Sequence, residues 1–316
     1  MSSSINTNPS AMTALQSLNA TNKRLEMTQN AISTGYRVST ARDNAAYWSI
    51  ATTMRSDHKA LSTVQDALGL GGATIDIMYT AVSESIKVMD EIKSKLVAAR
   101  EPGVDRTKIQ SEIKELQNQL GGNADSASFS GENWLSVDSA DPGYNTTKEV
   151  VSSFQRDLSG VSVSTITIDV SQMKLYDAND QSGLIDKDRN YSFLSSDGVT
   201  TVTGTITIAT LDISALTYSD DDVTKLDNMI SEVDSAMLEM TTTATSLGSV
   251  QSRIEMQQDF VKNLMDAIER GVGQLVDADM SEESTRLQAL QVQQQLGIQS
   301  LSIANSNSQN ILSLFK

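Results

Sequence analysis

Apolar residues recur along this chain at alternating spacings of three and four, the period of a helix that packs against another helix. The longest run passes through Tyr47, Ile50, Met54, Asp57, Leu61, Val64, Leu68, Gly71, Ile75, Met78, Val82, Ser85, Met89, Ile92 and Leu96. A second opens after the acidic cluster Asp220-Asp221-Asp222. It continues through Val223, Leu226, Ile230, Val233, Met237, Met240, Ala244, Leu247, Gln251, Ile254, Gln258, Val261, Met265, Ile268, Val272 and Leu275. A mean spacing of 3.5 over such lengths predicts coiled-coil seams, and at ~1.5 Å per residue the first would reach roughly 75 Å. Gly69, Gly71 and Gly72 are candidate kinks, since glycine costs about 1 kcal/mol in a helix interior. Glu101-Pro102-Gly103 is a stop. Asp105 is placed to cap a shorter helix with the stripe Ile109, Ile113, Leu116 and Leu120, which Gly121-Gly122 is expected to end.

Both ends of the chain carry a diluted version of the same device. Residues 15–32 place Leu15, Leu18, Leu25 and Ile32 at heptad spacing, with Asn22 and Gln29 in the alternate positions. Residues 287–311 place Leu287, Leu290, Leu301, Ala304 and Ile311 likewise, with Gln294, Gly297 and Ser308 on the same seam. A helix with so thin a stripe needs a partner helix, or further copies of itself, to stay folded. Chain ends usually collect disorder, so amphipathic patterning at both ends points to assembly.

Residues 129–220 change character. Val161 to Val170 and Val202 to Ile208 alternate apolar and polar, are rich in β-branched residues, and are flanked by Gly, Asp and Ser. They read as strands. The expected architecture is mainly α: a long antiparallel coiled-coil bundle built from the N- and C-terminal regions, with a small α+β insertion at its distal tip. Three layers follow: terminal helices over 1–43 and 280–316, a rod over 44–135 and 221–279, and an outer, surface-exposed domain over 136–220. Leu61, Val64, Leu68, Ile75, Val82, Leu96, Leu226, Ile230, Val233, Met237, Leu247 and Ile254 are the expected rod packing.

Charge narrows the partners. Lys plus Arg number 24 against 40 Asp plus Glu, a net charge of −16. A chain so acidic has no electrostatic footprint for nucleic acid and is repelled by an anionic membrane surface. No apolar run is long enough to span a bilayer, so no membrane insertion is expected, and the first residues lack the pattern of a cleaved secretory signal. With no cysteine and one histidine, disulfides, thiol nucleophiles and Cys/His zinc sites are excluded.

Candidate chemistry is thin. His58 lies on a helix flank, without the cleft or paired nucleophile that a catalytic dyad needs. Asp177, Asp180, Asp186 and Asp188 are spaced unlike a helix-loop-helix calcium site, lacking its Gly and terminal Glu. Gly69-Leu-Gly-Gly72 does not follow a strand and lacks the Gly-Lys-Ser/Thr of a phosphate loop. The reading is a non-enzyme with no cofactor and no metal.

At both ends the residues reach a known family. Thr34-Gly-Tyr-Arg-Val-Ser-Thr-Ala-Arg-Asp-Asn-Ala-Ala46 resembles the N-terminal signature of bacterial flagellins, with Arg37, Arg42, Asp43 and Asn44 at signature positions. Val276-Asp-Ala-Asp-Met-Ser-Glu-Glu-Ser284 is similar to the family's acidic approach to its last helix. Gln293 to Gly297, Ala304-Asn305, and the tail from Gln309 to Leu314 and Phe315 resemble the family's C-terminus. Tyr47-Trp48 and Arg100-Glu-Pro-Gly103 are most like flagellins of rhizobia and related alphaproteobacteria. Two departures stand out. Tyr47 and Trp48 replace a commonly small residue, and Ile92 to Arg100 replaces the Arg-Glu-Leu-Ala-Val stretch that a vertebrate innate receptor reads.

The resemblance implies a subunit that polymerises into the extracellular flagellar filament used for swimming, with the terminal helices innermost and the insertion facing water. It implies as partners many copies of itself, the flagellar export apparatus, a chaperone on the C-terminal helix, and hook-associated and capping proteins. The inner-core assembly residues are then Leu15, Leu18, Asn22, Leu25, Gln29, Ile32, Leu287, Leu290, Gln294, Leu301, Ala304, Ile311, Leu314 and Phe315. Competing readings are the hook–filament junction protein, which shares the terminal pattern, and a cytosolic sensory or enzymatic protein with a coiled-coil stalk. Abundance in protein sheared from the cell surface separates them.

Overall fold

The computed structural model describes residues 7–157 and 160–313, with side chains up to 306. Among them α1 spans Pro9–Thr34, α2 Ala45–Ala99, α3 Arg106–Ser126, α4 Asp220–Val276 and α5 Met280–Ser313. The strands lie between α3 and α4: β1 Ser128–Phe129, β2 Glu132–Asn133, β3 Ser136–Val137, β4 Thr147–Asp157, β5 Gly160–Asp169, β6 Tyr176–Asp177, β7 Arg189–Leu194 and β8 Thr201–Ile206. They form two-stranded sheets, β1–β2, β3–β6, β4–β5 and β7–β8, with β3–β6 parallel and the others antiparallel. The fold is mainly α with a strand-containing insertion. Two compact units divide the chain, residues 1–59 with 264–316 and residues 60–263. Both α2 and α4 contribute to each.

Within residues 60–263, α2 and α4 run antiparallel. Lys93 pairs with Asp234 at 2.5 Å, while Asp76 accepts from Gln251 at 3.2 Å, so rising numbers on one helix meet falling numbers on the other. On α2, Leu61, Val64, Leu68, Ile75, Met78, Val82, Ser85, Met89, Ile92 and Leu96 are buried. Each large apolar side chain so buried contributes roughly 1.5–3 kcal/mol. Asp105 caps α3 by accepting from the N–H of Thr107 at 3.1 Å.

On α4 the buried face differs from the one the spacing suggests. Leu226, Met229, Val233, Ala236, Met240, Thr243 and Leu247 are buried, whereas Ile230, Met237 and Ala244 are half-buried. The insertion causes this tilt. Glu239 receives Arg189 at 2.6 Å and Lys187 at 2.8 Å, and the Thr243 hydroxyl donates to the Gln172 carbonyl at 3.4 Å. At about 100° per residue, Met229, Glu232, Ala236, Glu239 and Thr243 share one flank of α4. The insertion covers that flank, and Ile230 and Met237 lie on the other.

The glycines behave differently from their sequence expectation. α2 runs unbroken through Gly69, Gly71 and Gly72, because flanking Leu68 and Ile75 are fully buried and offset the local cost. A Cβ at Gly71 would lie 2.4 Å from Val150 Cγ1, so the missing side chain is what lets β4 close onto α2. α3 likewise continues through Gly121 and Gly122 to Ser126. Its end is satisfied later, where the Asn133 amide donates to the carbonyls of Ala124 at 2.7 Å and Asp125 at 3.2 Å. The insertion thus lies back along the helices from the end where they connect. Gly71 is 28 residues before the end of α2, roughly 40 Å along the helix.

The insertion's own core contains Trp134, Leu135, Ile166, Ile168, Leu175, Ile185, Ile206 and Ile208, and a buried polar knot. Asp177, fully buried, accepts from Lys174 Nζ at 2.6 Å, from the N–H and hydroxyl of Ser139 at 3.1 Å, and from the N–H of Asn179 at 3.1 Å. Burial pushes its carboxyl up, but the Lys174 ammonium and these donors outweigh that and hold it well below the ordinary value. Asp186 accepts from the Asp177 N–H at 2.7 Å, and burial drives its carboxyl up. Asp180 accepts from the Ser182 hydroxyl, and Asp188 from that of Thr207 at 2.7 Å. Protein donors occupy all four aspartates, and among the described residues no group of three or more His, Cys, Asp or Glu is disposed to hold a metal ion.

Candidate assembly site

In the unit formed by residues 1–59 and 264–316, α1 begins where the Asn8 side chain accepts from the Ala11 N–H at 3.1 Å and Pro9 takes a first-turn position. It ends at Gly35, whose φ of 74° and N–H to Ala31 at 2.9 Å form a left-handed C-cap. Against it lies α5, antiparallel. The Asn8 amide donates to the Ala304 carbonyl at 2.9 Å, a Cβ on Gly297 would sit 3.2 Å from Leu18 Cδ1, and the Gln294 amide donates to Asn22 Oδ1 at 2.9 Å.

Burial defines the seam. On α5 it follows Glu283, Leu287, Leu290, Gln294, Gly297, Leu301 and Ala304, with Glu283 and Leu290 buried and the others half-buried. On α1 it follows Ala11, Ala14, Leu18, Thr21, Leu25, Thr28 and Ile32, with Thr28 buried. Leu15, Asn22 and Gln29 are exposed on its edge. Small residues at alternate positions let the backbones approach, and the Thr21 hydroxyl is satisfied within its own helix by Ser17 at 3.0 Å. Heptad-spaced Ala11, Ala14, Thr21 and Thr28 were the available signal, masked because small and polar residues do not read as a stripe. Ile311 has only its backbone described, and Leu314 and Phe315 lie outside the described residues.

The pair leaves much apolar surface uncovered. Met12, Leu15 and Met27 on α1, and Val292, Leu296, Ile298 and Ile303 on α5, are all exposed. One face of α1, lined by Pro9, Met12, Leu15, Gln16, Asn19 and Lys23, forms an open groove.

The segment joining α1 to α2 is bound to the end of α4. Tyr36 and Asp277 form an antiparallel bridge. The N–H groups of Arg37 and Val38 both reach the Val276 carbonyl, at 2.7 and 3.2 Å, and Ala278 donates to Gly35 at 2.9 Å. The Arg37 guanidinium donates to the carbonyls of Gln274 at 3.2 Å and Leu275 at 3.1 Å, satisfying acceptors that a helix end leaves open. Asp43 Oδ2 accepts from the N–H and hydroxyl of both Thr40 and Ser39, at 2.9–3.2 Å, folding the turn and lowering its pKa chiefly through the Thr40 N–H. Asn44 Oδ1 accepts from Ala46 and Tyr47 N–H at 3.1 Å, capping α2. Arg42 is exposed. Behind the turn, Val38, Ala51, Val272 and Val276 make a small core with Met54, Ile268 and Leu275. Tyr47 and Ile50 face out and Ala51 takes the buried place. His58 lines a cavity of about 260 Å³ with Tyr36, Arg55, Glu269 and Asp277, where Arg55 lies 4.8 Å over the Tyr36 ring.

Asp279 caps α5 by accepting from Ser281 and Glu282 at 2.9 and 3.2 Å, and Arg286 pairs with Glu282 and Glu283 at 2.7 and 2.6 Å. At this site the hydroxyls and carboxylates in contact serve turns and helix caps. What it offers is two helices held in register, with apolar faces left over. No helix among the described residues is long and apolar enough to cross a membrane.

Comparison with known proteins agrees with this geometry. The family model described as the bacterial flagellin N-terminal helical region matches residues 5–140, and that of the bacterial flagellin C-terminal helical region matches residues 230–315. Flagellin C of Rhizobium meliloti (strain 1021) is 55% identical over 324 aligned positions, covering 99% of both chains. Flagellin A of Rhizobium meliloti is 44% identical, covering 99% of this chain and 100% of that one. A flagellin of Brucella melitensis biotype 1 is 43% identical, covering 99% of each.

Proposed function

The chain belongs to the bacterial flagellin family and is a structural subunit of the flagellar filament, and from that premise we propose how its parts share the work. The observation that carries the proposal is the uncovered apolar surface of the α1–α5 pair. Two helices with so much exposed Met, Leu, Ile and Val are unfinished as a monomer and complete when several copies bury those faces together.

Residues 1–43 and 280–316 then form the inner core of the filament, 44–135 and 221–279 the rod around it, and 136–220 the outer surface. Leu18, Asn22, Leu25, Ile32, Leu287, Leu290, Gln294, Leu301 and Ala304 hold α1 to α5, and Leu15 and Gln29 face a neighbouring copy. Before assembly the chain leaves the cell through the flagellar export apparatus, with a chaperone covering the apolar face of α5. It then polymerises beneath a cap and onto hook-associated proteins, outside the cell, as part of the swimming organelle. Its role is mechanical, with no catalysis.

Nucleating purified protein with sheared filament fragments tests this. Electron micrographs should show helical filaments, and protein lacking residues 1–40 and 285–316 should remain a soluble helical monomer. Filaments grown from the truncated protein, or none from the intact one, would refute the proposal.

A further inference from the structure

Within residues 60–263, α4 presents Met256 and Phe260 outward, 62% and 58% exposed, while Ile254 and Val261 beside them are buried, Ile254 against Gly72 of α2. At about 100° per residue Arg253 falls close to the direction of Phe260, and Met256 within about 40° of it. The three side chains form one strip, and Glu255, Asp259 and Lys262 project well to its sides. Arg253 is exposed and makes no ion pair among the described residues.

The same unit carries a notch of about 390 Å³ between α2 and the insertion, lined by Leu70, Phe129, Trp134 and Val150, with the carboxylate of Glu149 and that of Glu132, which Lys148 holds at 3.2 Å and the Trp134 indole at 3.0 Å. It exists because Gly71 lets β4 approach α2. Leu70 is exposed there. Gly72 faces Ile254 and Gln258 across the helix pair, so notch and strip stand at the same level along it. Because Ile254 points toward α2, the strip two and six residues later points away and does not reach its own notch.

We infer that the Arg253–Met256–Phe260 strip of one copy docks into the Leu70–Trp134–Val150 notch of the next, with Arg253 meeting Glu149. The partner is a second copy of this chain. Its chemistry matches on both counts: an apolar knob for an apolar notch, and a lone cation for the carboxylate of Glu149, which makes no ion pair among the described residues. The contact joins different surfaces of the two copies, so repeating it generates an open series instead of a closed dimer. This inference rests on the chain being a filament subunit and adds a side-by-side contact between rods to the contacts of the terminal helices.

The chain has no cysteine, so engineered thiols report cleanly. Arg253→Cys and Glu149→Cys sit at the rim and leave Phe260 and the notch floor intact. In filaments of the double variant, a short bismaleimide should give a ladder of covalent multimers. Co-assembled single variants should give dimers only, and either single variant alone should give none. Separately, Phe260→Ala should raise the monomer concentration remaining after seeded elongation about tenfold or more, with Phe260→Leu recovering most of the loss. Filaments of the double variant that yield no multimers overturn the contact while leaving the filament reading intact. An unchanged residual concentration for Phe260→Ala does the same, and also decides the matter if the cysteine variants do not elongate. Failure of the unsubstituted protein to polymerise counts against the filament reading itself.

Discussion

The Gln294 amide donates to Asn22 Oδ1 at 2.9 Å, joining residues 272 positions apart across the two terminal helices. One helical step away, Gly297 lies against Leu18. Together they set how α1 and α5 cross: the polar pair fixes the register, and the glycine fixes the distance.

Gly297→Val should therefore separate the helices, since its Cβ alone would lie 3.2 Å from Leu18 Cδ1 and the branch adds more. Elongation from seeds, followed by light scattering, should be lost while thermal unfolding of residues 60–263 is unchanged. Normal elongation would show that the close approach is dispensable.

Leu290→Asp should abolish assembly more completely than Leu301→Asp, because Leu290 is buried in the pair and Leu301 is half-buried. The first loses about 1.5–3 kcal/mol of apolar burial and adds the desolvation of an unpaired carboxylate. Residual monomer after elongation ranks the two, and the reverse ranking would argue against the seam described.

Arg37→Ala leaves the Gln274 and Leu275 carbonyls without their side-chain donor. The group is exposed, so the expected loss is modest, about 1 kcal/mol. Amide exchange at residues 276–278 should accelerate while that of α2 beyond residue 60 stays constant. Uniform acceleration across the chain would mean that Arg37 acts on the whole fold.

The Lys174–Asp177 pair predicts an acid-sensitive insertion. Asp177 has a folded pKa below its unfolded value, so its stabilisation is complete above about pH 5 and is lost as pH falls through about 4 and below. Asp186 has the opposite sign: burial raises its pKa, so its charge destabilises the fold above that pKa and acidification relieves it. Asp177→Asn should cost about 3 kcal/mol at pH 7, because it leaves the buried Lys174 ammonium only the longer pair with Asp180 at 4.0 Å. Asp186→Asn should be far milder. Urea unfolding read by Trp134 fluorescence in a Trp48→Phe background measures both, and equal losses would refute the assignment.

Deleting residues 140–215 with a short Gly/Ser link should lower the thermal midpoint of the helices, not merely trim their end. The deleted segment supplies Val150 against Gly71, Arg189 to Glu239 and Gln172 to Thr243. An unchanged midpoint would mean that these contacts add nothing to the rod.

Periodicity alone determined that the chain is mainly helical, that a strand-bearing segment interrupts it, and that α5 meets its partner along Leu287, Leu290, Gln294, Gly297, Leu301 and Ala304. It also located the cap at Asp105, since a short acceptor before an apolar stripe satisfies helix N–H groups using only local residues. Tertiary structure decided what periodicity leaves open. On α1 the seam runs through Ala11, Ala14, Thr21 and Thr28 because Gly297 and its neighbours allow backbones to come close, and small residues win there over Leu15. On α4 the insertion covers one flank, drawing Met229, Ala236 and Thr243 inward and leaving Ile230 and Met237 half-exposed. Gly71 and Gly121 stay helical for the same reason: helix breaking is a local preference of about 1 kcal/mol, and the burial of Leu68, Ile75, Leu120 and Ala124 beside them is larger. A sequence records which residues can share a face, and only the packed chain records what comes to cover it.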